Sequence, residues 1–98
     1  MDGLMLTTVK YLERMKGQDT LSTDTTIYIG EQGRKAALRH YKELALTVKR
    51  MKWTPGYRAV RIFEPFVDQL GMVNGYAEPG TLNLFYDSQT QDIPEVTT

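Results

Sequence analysis

Residues 34 to 53 read Arg34-Lys35-Ala36-Ala37-Leu38-Arg39-His40-Tyr41-Lys42-Glu43-Leu44-Ala45-Leu46-Thr47-Val48-Lys49-Arg50-Met51-Lys52-Trp53. Nearly every position is a good helix former, and neither Gly nor Pro interrupts the run before Pro55-Gly56 terminates it. At 100° per residue, Ala37, Leu38, Tyr41, Leu44, Ala45, Val48 and Met51 share an arc of about 140°, wide enough to face a core. An adjoining sector of about 100° carries Lys35, Arg39, Lys42, Lys49 and Arg50, with Leu46 and Trp53 among them. A long helix is therefore predicted with one buried face and one basic flank that exposes two apolar side chains.

Upstream, Thr25 to Ile29 is short and β-branched, which predicts a strand closed by Gly30-Glu31-Gln32-Gly33. Residues 17 to 26 are rich in Gly, Asp, Ser and Thr, whose short side chains compete for backbone hydrogen bonds, so a loop is expected there. Before it, Leu4, Met5, Val9, Leu12 and Met15 recur at helical spacing between Asp2 as a cap and Gly17 as a stop. An N-terminal amphipathic helix through about Lys16 is the expectation.

Downstream, Tyr57 to Glu64 alternates β-branched and aromatic residues and reads as a strand. Period two sends Arg58 and Arg61 to opposite faces, so at most one of them extends the basic helical surface. Val67 to Met72 is expected to form a short helical turn, Asn74-Gly75 a tight turn between strands, and Glu78-Pro79-Gly80 another turn. Thr81 to Tyr86 is predicted as the last strand. The fold class is α+β: an N-terminal amphipathic helix and one long helix packed on a small three- to four-stranded, mostly antiparallel sheet. Residues 1–87 are expected to form a single compact domain, with 88–98 a polar, loosely held tail.

The chain has 98 residues, 41% of them hydrophobic and none of them cysteine. That length suits one small domain, and the missing thiols exclude disulfides, thiolate zinc sites and cysteine nucleophiles. No apolar run reaches the ~20 residues of a membrane span, and the N-terminus lacks the order of a signal peptide. A cytoplasmic or intracellular setting without membrane attachment is expected, meaning the host cytoplasm or the virion for a viral protein.

Net charge is +0, from twelve Lys and Arg against twelve Asp and Glu, but the average conceals a strong division. Residues 1–33 sum to −2. Residues 34–61 hold nine cations against Glu43 alone, a net +8. Residues 62–98 contain no Lys or Arg and six carboxylates, a net −6. Such asymmetry implies an anion-facing surface, or a dipolar subunit that pairs head to tail.

Five cations on one helical sector repel one another and call for an external counter-charge. Lys35, Arg39, Lys42, Leu46, Lys49, Arg50 and Trp53 are therefore the candidate partner-binding residues, with Trp53 as apolar anchor. The plainer reading is a solvated basic face with Leu46 and Trp53 covered by other elements. Gly30, Gly33 and Arg34 form a candidate anion-binding turn, because the start of a helix presents free N–H groups; a simple strand-to-helix turn is the plainer account of them. The spacing is not the Walker A pattern, and a third glycine for a dinucleotide fingerprint is missing.

His40 is the sole histidine, so no His-rich metal site is expected, and no acidic spacing resembles a calcium loop. No nucleophile and base, and no cofactor signature, reach the standard of a catalytic constellation. The expected function is a non-enzymatic small binding or adaptor protein, without cofactor or small-molecule substrate. It would dock on an acidic protein surface or nucleic acid through the basic face of helix 34–53. Net neutrality and a pI of about 6.6 weigh against a dedicated nucleic-acid domain. The alternative is an assembly subunit, including one of a virus or phage particle, that forms homo-oligomers head to tail through complementary regions 34–61 and 62–98.

Overall fold

In the computed structural model, which describes residues 5–51, 54–67, 70–77 and 81–89, one helix packs on a four-stranded antiparallel sheet. The elements run β1 (Leu6–Met15), β2 (Ser22–Ile29), α1 (Gly30–Arg50), β3 (Gly56–Phe63), β4 (Pro65–Val67), β5 (Val73–Ala77) and β6 (Asn83–Asp87). The sheet order is β2-β1-β3-β6, and β4 with β5 forms a separate two-stranded hairpin.

The expected N-terminal helix is absent: residues 6–15 are β1, an inner strand paired with β2 on one side and β3 on the other. Its first half is buried on both faces, Leu6, Thr7, Thr8 and Val9 being at most 8% exposed. Double burial erases the alternation by which a strand is usually read, and the surviving spacing of Leu12 and Met15 mimics a helix. The β-branched run Thr7-Thr8-Val9 was the contrary signal.

Strand β2 begins at Ser22, so part of the expected loop is strand; its Thr-rich sequence suits an open edge, exposed throughout its first four residues and at alternate positions after them. It passes into α1 without a loop. Gly30 makes the corner at φ +77°, a conformation L residues rarely adopt, and donates its N–H to Met5 O at 2.8 Å. Gly33 lets the first turn lie on β2: a Cβ there would stand 3.1 Å from the Tyr28 carbonyl carbon. The glycine pair expected as a turn ahead of the helix is thus its first turn.

The predicted core face of α1 is the observed one. Ala37, Tyr41, Ala45 and Val48 are fully buried, and Leu38 and Leu44 pack at its margins. They meet Val9, Val60, Ile62 and Tyr86 from the inner face of the sheet, with Leu82 closing one end. The helix ends at Arg50 rather than Trp53; Trp53 and Lys52 lie outside the described residues, as do Glu78-Pro79-Gly80 and residues 90–98 of the expected tail. Asn74-Gly75 is no turn but lies within β5, and Val67 belongs to β4 rather than to a helical turn.

Candidate functional site

The register assigns every sheet residue to a face. Val9, Tyr11 and Glu13 of β1 lie opposite Ile62, Val60 and Arg58 of β3 on the inner side, under α1. Thr8, Lys10, Leu12 and Arg14 share the outer side with Phe63, Arg61, Ala59 and Tyr57. As period two requires, Arg58 and Arg61 part company.

Arg58 is 2% exposed under the C-terminal end of the helix. Its guanidinium donates to Thr54 O at 3.5 Å and to Met15 Sδ at 3.2 Å, and stands 4.0 Å from Glu13 Oε1. Nε has no hydrogen-bond partner, so the charge is held loosely for its depth. Tyr11 gives its hydroxyl hydrogen to Glu13 Oε2 at 3.0 Å; burial, then the Glu13 carboxylate, pushes its phenol pKa up, opposed by Arg58. Arg58 itself is closed to solvent, while the Glu13 side chain at the edge of the cluster is 33% exposed.

The helix flank is the opposite case. Lys35, Arg39, Lys42, Leu46, Lys49 and Arg50 are all exposed, Leu46 to 45%. Among the described residues none of these five cations pairs with a carboxylate. Trp53, the expected anchor, lies outside the described residues.

The candidate anion turn is differently employed. Arg34 donates Nε–H to Glu64 Oε1, and the other Glu64 oxygen accepts the Leu82 N–H at 3.1 Å. A pocket of about 310 Å³ beside it is lined by Met5, Glu31, Arg34, Lys35 and Glu64. Two carboxylates balance two cations there, so the lining has no net preference for an anion.

On the far flank, His40 Nδ1 and the Tyr28 hydroxyl are 2.9 Å apart, with the rings edge to face at 5.9 Å. This contact between α1 and β2 occupies the sole histidine. Among the described residues no three His, Asp or Glu side chains converge as metal ligands.

Sequence reading missed the outer sheet face. Lys10 and Arg61 stand directly opposite one another there, with Phe85 next in the same row on β6. Lys10 Nζ lies 5.8 Å, and Arg61 Cζ 5.0 Å, from the Phe63 ring centroid, while Arg14 Cζ lies 6.0 Å from that of Tyr57. Those residues are far apart in the chain, so only the alternation around Arg61 hinted at the arrangement.

No known protein family, curated protein or solved structure matches this chain.

Proposed function

We propose that this protein is a non-enzymatic binding module that docks on an acidic macromolecular surface through the flank of α1 carrying Lys35, Arg39, Lys42, Lys49 and Arg50. The observation that carries the reading is that all five cations are exposed and none lies within ion-pair distance of a carboxylate among the described residues. Like charges at i, i+3 and i+4 destabilise an isolated helix surface, and an acidic partner turns that repulsion into attraction. Leu46, 45% exposed within the flank, supplies apolar contact of the kind interface centres use. A protein surface is favoured as the partner of this flank, because the chain as a whole is neutral.

The test is binding to immobilised polyglutamate at low and physiological salt. The wild type should bind saturably and more weakly as salt rises, and Lys42→Glu/Lys49→Glu should abolish binding with an unchanged circular dichroism spectrum. Equal affinity in the folded double variant would sink the reading.

A second reading, self-association, is favoured by the hairpin. Val67, Leu70, Met72, Val73 and Tyr76 are 47–84% exposed, in a part of the chain without a single Lys or Arg. Apolar surface of that kind marks contact sites. Light scattering after size exclusion decides it: one mass of a monomer at every concentration and salt excludes this reading.

A further inference from the structure

The outer face of the sheet is chemically unlike the helix flank. Its central row runs Thr25, Lys10, Arg61, Phe85 across four strands. Like charges directly opposite in a sheet are destabilising, yet Lys10 and Arg61 face each other with no carboxylate in ion-pair reach among the described residues. Both lie over the Phe63 ring, which they help to reduce to 3% exposure, and Arg61 gives only Nε–H to Asn83 Oδ1 at 3.3 Å. Four residues along β3, about 13 Å at ~3.3 Å per residue, Arg14 and Tyr57 repeat the motif of a cation beside a ring.

Every cation on this face therefore has an aromatic neighbour, and one ring, Phe85, is 44% open to solvent. Asp87 is the one carboxylate at a register position of the face, and it accepts the Gln89 N–H at 2.9 Å. Burial, then the Asp87 carboxylate, pushes the Tyr57 phenol pKa up, opposed by Arg14. Where the second motif reaches the sheet end, a pocket of about 240 Å³ opens, lined among others by Arg14, Lys16, Gln18, Tyr57 and Gln89. Its lining has two cations, amide groups and a ring, and no carboxylate.

We infer that this face binds single-stranded nucleic acid, with phosphates on Lys10, Arg61 and Arg14, one base against Phe85 and another in the pocket beside Tyr57. A single strand offers an anion and a planar ring at each nucleotide, which is the alternation the face presents. An acidic peptide would satisfy the cations and leave the rings and the amide-lined pocket without counterparts. A duplex hides its bases and would use only the charges. The surface is distinct from the helix flank and does not depend on the reading given for it.

The test is fluorescence anisotropy of dye-labelled oligothymidylate and oligouridylate, with a duplex of equal length alongside, across a salt series. Single strands should bind saturably and more tightly than the duplex. Lys10→Gln/Arg61→Gln should lower the slope of log affinity against log salt by about 1.4, at ~0.7 per phosphate contact on single strands. Phe85→Leu, which keeps apolar contact and removes the ring, should weaken binding about fivefold to a hundredfold and leave that slope unchanged. Retained circular dichroism and urea midpoints show that each variant folds. Absence of binding at low salt overturns the inference. So does equal binding of duplex and single strand, or displacement of the oligonucleotide by polyglutamate at matched charge. Binding lost in Lys42→Glu/Lys49→Glu but intact in the sheet variants assigns nucleic acid to the helix instead, and equally overturns it.

Discussion

Arg34, one turn into α1, is joined to Glu64 at the end of β3, and through that carboxylate the helix start is tied to the strand end and to the backbone of Leu82. Glu64 also gives its own N–H to Leu82 O at 3.0 Å, so the two residues exchange hydrogen bonds where β3 leaves the sheet. The side chains of Arg34 and Glu64 are 28% and 18% exposed. Each carboxylate oxygen has a separate donor, so neither can be removed without leaving a half-buried group unmet.

Glu64→Ala should therefore destabilise the fold by about 1–3 kcal/mol, more than Arg34→Ala, which leaves the Leu82 bond in place. Urea denaturation of both variants measures the order; an Arg34→Ala loss as large as that of Glu64→Ala would contradict it.

Arg58 makes the reverse prediction. It is buried with a distant carboxylate and an unmatched Nε, so its desolvation is poorly offset. Replacement of both members of the pair by neutral side chains of similar length, Arg58→Met with Glu13→Gln, should be neutral or stabilising by up to about 4 kcal/mol. A fall in the urea midpoint of Arg58→Met/Glu13→Gln would show that Thr54 O, Met15 Sδ and Glu13 compensate the charge after all.

Tyr41 is fully buried, with a hydroxyl that has no partner among the described residues. Burial, and secondarily Tyr86, pushes its pKa from 10.0 up to about 12. The unfolded chain ionises first, so this residue's contribution is complete below pH 10.0 and is lost as pH rises to about 12. That loss is about 2–3 kcal/mol at ~1.4 per pH unit. Tyr41→Phe should flatten the alkaline limb of the stability curve and match or exceed wild-type stability at neutral pH, since it deletes an unsatisfied buried group. Parallel urea titrations of the two proteins decide it; identical alkaline limbs would refute the assignment.

Gly56 opens β3 at φ +135°, paired with Met15. A Cβ there would come within 2.9 Å of Arg14 O. Gly56→Ala should lower stability by about 1–3 kcal/mol. Because the same backbone presents Tyr57 to the pocket, it should also weaken oligonucleotide binding without altering the affinity for polyglutamate. A variant with wild-type stability would argue that the strand end relaxes freely.

The long helix was legible because its information is local. Each of Ala37, Tyr41, Ala45 and Val48 is one helical turn from the next, so the face exists before anything packs on it. The same holds for the basic flank and for the opposite orientations of Arg58 and Arg61. Gly30 and Gly33 were visible as punctuation, but their tasks, a left-handed corner and a close approach to Tyr28, depend on β2 folding against α1.

By itself, then, the sequence determined the α+β class, the helix with its two faces and the division of charge, all carried by neighbours in the chain. Only the tertiary structure decided that residues 6–15 are an inner strand, because β2 and β3 flank it on either side and its first half, Leu6 to Val9, is buried on both faces. It alone set Lys10 across from Arg61 and both over Phe63, since residues half the chain apart become neighbours only through strand register.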